Sequence, residues 1–168
     1  MNEQYLEILK SRRSYRQFAD KDVFPQTIET LLDCARHAPS AHNIQPWAFV
    51  VVRGEHLKKE IAGLTDYGRF IQRAPVCIAV FCNDDSEFYV EDGSAVTTYI
   101  LLATEALGLG SCWVAGDKKY YADRVAKLLN APAGYRLFSL IPIGYTTRKL
   151  SAYKKPLDKL VHYENFSE

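Results

Sequence analysis

The segment DGSAVTTYILLATEALGL, residues 92–109, limits what this chain can fold into more than any other part of its sequence. After Asp92 it contains one charged residue, Glu105, and its apolar side chains cover most of a helical circumference. A helix of this kind is buried on nearly all sides. A chain of 168 residues can hardly bury it alone, so we expect part of the helix to lie in a subunit interface. Gly108 and Gly110 are expected to end it.

Apolar periodicity divides the rest of the chain into short helices and strands of one domain, residues 1–168. Pro25 begins a helix whose apolar residues recur every three or four positions, and Pro39 ends it. Runs rich in β-branched and aromatic residues predict strands. The predicted helices are 3–12, 25–38, 55–63, 67–73 and 119–130, and the predicted strands are 47–53, 76–82 and 136–143.

The C-terminal stretch, about 146–168, is predicted to be an arm. Residues 160–166 (LVHYENF) alternate in polarity as an edge strand does. Because a long, basic, proline-containing linker precedes them, we expect this strand to add to the sheet of a partner subunit.

The composition excludes several classes of partner. Lys and Arg number 21 and Asp and Glu number 20, a net charge of +1, whereas nucleic acids and membrane surfaces attract a clear basic excess. We find neither a secretory signal nor an apolar run of about 20 residues, and we expect a cytoplasmic protein. The four cysteines lack C-x-x-C spacing, so we expect reduced thiols and no metal site.

An arginine-rich turn, SRRSYRQF (11–18), follows the first predicted helix. Three guanidinium groups and neighbouring hydroxyls can neutralise a phosphate and form directional hydrogen bonds with it. A solvated helix end, where cations complement the helix dipole, is the competing interpretation.

The segment APSAHNIQPW (38–47) holds polar side chains between two prolines, and Trp47 anchors it to the core. Such a preorganised loop can present donors and acceptors to a planar polar ligand. Alternatively, its Ser and Asn side chains satisfy their own backbone.

Two further segments carry weaker signals. GLGSCWVAG (108–116) is not a dinucleotide fingerprint, because it follows a helix and lacks the third glycine at the required spacing. Nor is it the G-x-S-x-G motif of serine hydrolases. It offers backbone amides beside a flat apolar surface. IPIGY (141–145) ends a strand, and a plain turn is its simpler interpretation.

Taken in order, these motifs resemble the FMN-dependent nitroreductase family. The matching segments are RRSYRQF, APSAHNIQPW, GLGSCW and PIGY, followed by a basic tail, and together they cover nearly the whole chain. The resemblance implies an α+β fold with a mainly antiparallel central sheet flanked by helices. It also implies an intertwined homodimer with exchanged C-terminal arms and two FMN molecules at the interface, each touched by both chains.

The resemblance assigns the flavin contacts of one chain. Arg12, Arg13 and Ser14 are implied to hold the phosphate and ribityl chain, and Arg16 to lie near the N1 and O2 edge of the ring. The implied contacts also include the backbone amides of Ala115 and Gly116 near N5 and O4, and the pair Lys154 and Lys155 at the phosphate, with Arg148 and Arg69 as looser candidates.

The other subunit is implied to complete the site. Its Pro39, Ser40 and Asn43 contact the flavin, and Gln45 supports that loop. The segment 38–47 would therefore face a cofactor that belongs largely to the neighbouring chain.

The resemblance implies an enzyme that uses NADPH or NADH to reduce nitroaromatic compounds, quinones or related small electron acceptors. The expected mechanism is ping-pong hydride transfer, with no catalytic acid or base from the protein. Only about ten residues join the strand near Cys82 to the long helix, so we expect an open, permissive site. Flavin fragmentation, dehalogenation, a flavin sensor or storage role, and a dimer without cofactor stay open as alternatives.

Overall fold

The computed structural model describes residues 3–166, which form an α+β domain with a central sheet. Its helices are α1 Glu3–Ser11, α2 Pro25–Ala35, α3 Glu55–Leu64, α4 Tyr89–Ala106 and α5 Ala122–Leu128. Its strands are β1 Trp47–Val52, β2 Val76–Asn83, β3 Gly110–Ser111, β4 Val114–Ala115 and β5 Tyr135–Gly144. Single 3-10 turns form at Ala41–Asn43, Arg69–Arg73 and Leu157–Lys159. The predicted strands and the longer helices are therefore confirmed, with boundaries shifted by a few residues.

The sheet is antiparallel throughout its strand pairs, as expected. Its order is β1-β2-β5-β3, and β4 also pairs with β5. Strand β2 lies in the middle and is buried along nearly its whole length. One isolated parallel bridge joins Ser14 to Ser111, which ties the turn after α1 to the β3 edge.

The side chains of β2 alternate between two hydrophobic cores, one on each face of the sheet. Val76, Ile78 and Val80 face the core that includes residues of α2 and α4. Cys77 and Ala79 face the core that includes residues of α3 and α5. This alternation is the two-residue period of a strand, and it places helices on both faces.

Helix α4 is buried on the side that faces the sheet and exposed on the other. Val96 and Ile100 are fully buried, whereas Thr98 and Tyr99 are exposed and Leu102 is partly so. The single chain therefore leaves part of this apolar helix uncovered. The predicted subunit interface along α4 stays a prediction.

Residues 160–166, predicted to be a strand on a partner subunit, form no strand within the described single chain. The segment forms bends after the 3-10 turn at Leu157–Lys159, and all residues from 151 to 166 are exposed. A strand requires a partner with free backbone groups, and this arm lies on no strand of its own sheet. Its addition to a partner subunit stays a prediction. Within residues 3–166, every helix is too short or too polar to span a bilayer.

Candidate functional site

The arginine-rich turn is fixed at both of its sides by hydrogen bonds. The Ser11 hydroxyl donates to Glu105 Oε1 at the end of α4 (2.8 Å). The Tyr15 amide donates to the Ser111 carbonyl of β3 (2.9 Å). The backbone between these two points therefore has a defined path, which presents Arg12, Arg13 and Ser14 beside the β3 edge of the sheet.

The guanidinium groups of this turn keep free hydrogen-bonding capacity. Arg13 Nη1 donates to the carbonyls of Lys10 (2.6 Å) and Arg12 (2.9 Å), as the helix-end interpretation expects. Its Nε, however, is buried and has no hydrogen-bond partner among the described residues. No acidic group within residues 3–166 forms an ion pair with Arg12, Arg13 or Arg16. A buried donor without a partner is costly, so this set of groups fits an anion.

A cleft of about 250 Å³ lies next to the turn, and we call it the anion cleft. Arg16 and Arg148 contribute cations to its wall, and Ser14, Thr146 and Thr147 contribute hydroxyls. No carboxylate of the described residues lines it. This donor set suits a phosphate group. The structure thus places Arg148, the looser candidate, in the wall of the anion cleft.

A second cleft of about 180 Å³ begins at Arg16, and we call it the ring cleft. Its walls include Phe70, Cys112 and Ala115, and the Arg16 guanidinium carbon lies 5.9 Å from the centre of the Phe70 ring. Arg16 belongs to the walls of both clefts, so a ligand with a phosphate end and a flat aromatic end fits the pair. Arg69, although close in sequence, does not line the ring cleft.

The two backbone amides predicted to contact the flavin ring, those of Ala115 and Gly116, have different environments in the structure. The Gly116 amide donates to the Phe138 carbonyl (2.9 Å), so it is already bonded within the domain, and its contact with a ligand stays a prediction. Sheet pairing uses this amide, and a Cβ at position 116 would lie 2.7 Å from Leu137 Cγ. The Ala115 amide points to the opposite side of the strand, because successive backbone amides alternate in direction. Ala115 is exposed on the ring cleft, and its carbonyl accepts a hydrogen bond from the Tyr121 hydroxyl.

Cys112 is the one thiol in the wall of the ring cleft within the described chain. Burial raises the pKa of this thiol, while the charges of Arg16 and Arg12 and a hydrogen bond with Ser14 oppose the rise. The side chain therefore stays protonated at neutral pH and is not an activated nucleophile.

The loop Pro39–Trp47 adopts an unusual backbone conformation. His42, Asn43 and Gln45 all have positive φ values, of 51°, 57° and 54°. The Ser40 hydroxyl accepts from the Gln45 amide (3.0 Å), and Gln45 Nε2 donates to Asn43 Oδ1 (3.1 Å). Part of the loop thus satisfies itself, as the alternative interpretation expects. Left-handed residues other than glycine are uncommon, and they concentrate at functional sites.

Sequence reasoning missed Asp92, whose side chain holds this loop through a hydrogen bond. Its Oδ1 accepts a hydrogen bond from the Ala41 amide (2.9 Å), and the residue is 3% exposed. The available signal was an acidic pair, Glu91 and Asp92, at the start of an apolar helix, which is also typical of an ordinary helix N-terminus.

The loop and the arginine-rich turn lie at opposite ends of α4 within one chain. The loop is bonded to Asp92 and the turn to Glu105, thirteen residues further along. A rise of about 1.5 Å per residue separates these anchor points by roughly 20 Å. Lys154 and Lys155 lie in the exposed C-terminal segment, and no hydrogen bond joins them to the turn within the described residues. The structure therefore brings part of the predicted site together and leaves two parts apart.

Comparisons with known proteins agree with this geometry. The model of the nitroreductase family matches residues 9–68 and 64–145. A protein of Methanothermobacter thermautotrophicus, provisionally named NADH dehydrogenase/NAD(P)H nitroreductase, is 37% identical over 83% of this chain and 76% of its own length. The iodotyrosine deiodinase of Thermotoga neapolitana is 27% identical over 95% of this chain and 97% of its own length.

A solved structure has the same fold over almost the full length. The FMN-dependent nitroreductase of Clostridium difficile R20291 superposes with a TM-score of 0.88 at 30% identity, covering 96% of this chain and 99% of that one. The family model, the relatives and the ordered motifs lead to one conclusion: the chain belongs to the nitroreductase family.

Proposed function

We propose that the chain is an FMN-dependent oxidoreductase that uses NADPH or NADH to reduce nitroaromatic compounds, quinones or related small electron acceptors. The observation that carries this proposal is the pair of clefts joined at Arg16. One is rich in cationic and hydroxyl donors, and the other is bounded mainly by apolar and aromatic side chains, with Asp66 and Lys119 also in its wall. FMN has a phosphate at one end and a planar ring at the other, so the residues present fit it.

The residues have separate tasks in this proposal. Arg12, Arg13, Ser14 and Arg148 hold the phosphate, and the buried Nε of Arg13 gains a partner when they do. Arg16 places a positive charge at the ring end, and the Ala115 amide offers a donor there. FMN held by these residues would supply the redox chemistry, hydride transfer from the nicotinamide and electron transfer to the second substrate. The protein contributes position and electrostatics, and we assign no catalytic acid or base.

The site belongs to a homodimer in this proposal. Pro39, Ser40 and Asn43 of the partner subunit contact the flavin, and Gln45 of the partner subunit supports them. The separation of the loop and the turn along α4 supports this arrangement, since two α4 helices packed antiparallel would bring the loop of one chain to the turn of the other. The partly exposed face of α4, which includes Tyr99 and Leu102, supplies apolar surface for such packing. Lys154 and Lys155 approach the phosphate only if the arm changes its path on assembly.

The direct test is a titration of the purified protein with FMN, followed by anaerobic addition of NADH or NADPH. We expect saturable FMN binding, bleaching of the flavin absorbance by at least one nicotinamide, and recovery of the absorbance on addition of a nitroaromatic compound or a quinone. Bound flavin that neither nicotinamide bleaches would support a sensor or storage role. Failure to bind FMN at all would refute the proposal.

Reductive dehalogenation is the second candidate, because the deiodinase of Thermotoga neapolitana matches 95% of this chain. The alignment spans 186 positions, which exceeds the 168 residues of this chain, so the deiodinase carries segments that this chain lacks. Incubating the reduced holoenzyme with an iodotyrosine and measuring released iodide separates the two candidates. We expect slower turnover of the iodotyrosine than of a nitroaromatic compound.

A further inference from the structure

Asp92 is a buried carboxylate whose burial is not compensated by a cation. It is 3% exposed, and no Lys or Arg within residues 3–166 forms an ion pair with it. Its Oδ2 is buried without a hydrogen-bond partner in the same part of the chain. The position in the first turn of α4 stabilises a negative charge only modestly. Because a buried polar group without a partner costs stability, another contribution has to justify its presence.

The one side-chain hydrogen bond of Asp92 reaches the loop that carries Ser40 and Asn43. Its Oδ1 accepts from the Ala41 amide at 2.9 Å, at the entry of the loop. At the exit, the Asn83 amide donates to the Pro46 carbonyl at 2.8 Å. The loop is thus tied to the rest of the domain by one hydrogen bond at each end.

Between these two ties the backbone is in a conformation that it does not favour by itself. His42, Asn43 and Gln45 are left-handed, and the His42, Asn43, Ile44 and Gln45 side chains are exposed, so little burial compensates the cost. A loop of this kind persists only when its surroundings hold it in place.

We propose that Asp92 is a positioning residue that fixes this loop in the conformation that binds the flavin. The inference rests on the proposed function. Asp92 acts through the Ala41 amide and contacts neither cofactor nor substrate. The Asp92 side chain supplies the acceptor for the Ala41 amide, and losing that acceptor would leave this donor without a partner at the entry of the loop.

The test combines Asp92→Ala, Asp92→Asn and Asn43→Ala with FMN titrations. We expect Asp92→Ala to raise the FMN Kd by roughly tenfold or more, the effect of losing a hydrogen bond to a charged group. Asp92→Asn keeps an oxygen acceptor for Ala41 and should recover most of the affinity. In the background of Asp92→Ala, Asn43→Ala should have little further effect, because the loop is already displaced; such non-additivity identifies residues that act together.

Thr97→Val is the matched control. Thr97 lies on the same helix, is fully buried, and forms a hydrogen bond of 2.9 Å with Ser139 away from the loop. The Thr97→Val variant should have a lowered Tm, as Asp92→Ala should, and an unchanged FMN Kd. Additive effects of Asp92→Ala and Asn43→Ala, or equal losses of affinity in Asp92→Ala and Thr97→Val, would overturn the role of Asp92.

A second measurement uses the protein without flavin. Hydrogen exchange of the Ala41 to Gln45 amides should accelerate in Asp92→Ala and not in Thr97→Val. Unchanged exchange in Asp92→Ala would also overturn the inference. If the wild-type protein binds no FMN, the proposed function fails; if it binds FMN and Asp92→Ala binds it equally well, only the role of Asp92 fails.

Discussion

Arg13 shows at the scale of one residue how a structural and a binding role can share a side chain. Its Nη1 caps the carbonyl of Lys10 at the end of α1, and its Nε remains buried without a partner in the described chain. The Nη1 contact with Lys10 corresponds to the helix-end role, and the unpaired Nε leaves a donor for an anion. The two interpretations of the arginine-rich turn are therefore compatible.

The phosphate assignment of Arg13 is tested with two flavins. Riboflavin has the ring of FMN without its phosphate, so a phosphate contact affects FMN alone. We expect Arg13→Ala to weaken FMN binding by about tenfold or more and to leave riboflavin binding nearly unchanged, since hydrogen bonds to charged groups contribute about 1.5–3 kcal/mol. Arg124→Ala, which removes an exposed cation of α5 and leaves the arginine-rich turn intact, is the control. Equal weakening of both flavins would contradict the assignment.

The buried thiols of β2 predict how stability depends on pH. Burial raises the pKa of Cys77 and of Cys82 from 9.0 to about 12. Between these pH values the folded protein keeps protons that the unfolded chain loses, so the stabilisation is complete below pH 9 and declines as the pH rises toward 12. We expect the free energy of unfolding to fall by about 1.4 kcal/mol per pH unit for each thiol in this range.

Denaturant unfolding at a series of pH values measures this slope. Replacing Cys77 and Cys82 with Ala should make the decline less steep, although it lowers stability at every pH by creating cavities. The control is Cys34→Ala, which removes an exposed thiol and should leave the slope unchanged. A slope that is the same in all three proteins would show that the β2 thiols do not retain their protons.

Residue types and their order singled out the arginine-rich turn as a candidate phosphate site, but individual contacts depended on the fold. The Gly116 amide is used by sheet pairing with Phe138, which no local pattern reveals. The role of Asp92 required knowing that the loop before β1 crosses the start of α4. Both contacts join residues far apart in the sequence, and for that reason a linear motif could not supply them.

At the scale of an element, α4 shows what local chemistry can and cannot predict. It begins at Tyr89, one turn before the predicted start, and ends at Ala106. Gly108 has a φ of 71°, its amide donates to the Glu105 carbonyl, and the Leu109 amide donates to the Thr104 carbonyl. These bonds form a Schellman motif, which is the termination that a glycine at this position predicts. The predicted end lay three residues late because it included the cap.

Gly93 fixes how closely α4 approaches β5. A Cβ at this position would lie 2.7 Å from atoms of the Phe138 ring, so Gly93→Ala forces the helix or the ring to move. We expect a loss of about 1–3 kcal/mol in the free energy of unfolding, as for other overpacked positions. Thermal or denaturant unfolding of the apoprotein measures the change.

Gly63 of α3 is the matched control for this substitution. Its added Cβ would meet no atom within 4 Å. Gly63→Ala should therefore stabilise the protein by about 0.5–1 kcal/mol through helix propensity. A loss of stability at Gly63 equal to that at Gly93 would mean that close packing against Phe138 is not the cause.

At the scale of the whole molecule, the two motifs that resemble the family most clearly are held at opposite ends of α4. The sequence pattern predicted both motifs and the apolar helix that lies between them in the fold. It could not give their separation, because distance depends on which end of the helix each motif contacts.

A mixing experiment tests whether each site draws on two chains. Arg12→Ala and Asn43→Ala are each expected to weaken FMN binding in their homodimers. In a heterodimer of the two variants, one site carries both substitutions and the other carries none. We expect mixed dimers, formed by co-expression with two affinity tags, to bind one FMN per dimer with wild-type affinity. Failure to recover any tight site would indicate that Arg12 and Asn43 serve the same chain's site.

The exposure of residues 151 to 166 has a practical consequence for testing the proposed homodimer. Tyr153, Tyr163 and Phe166 are each more than four-fifths exposed, among lysines that a digestive protease such as trypsin recognises. Cleavage after Lys154 or Lys159 should be rapid wherever the segment stays uncovered and slow wherever a second subunit shields it; the Lys155–Pro156 bond resists trypsin. The rate of proteolysis in this C-terminal segment therefore reports on subunit assembly, and the measurement needs neither flavin nor substrate.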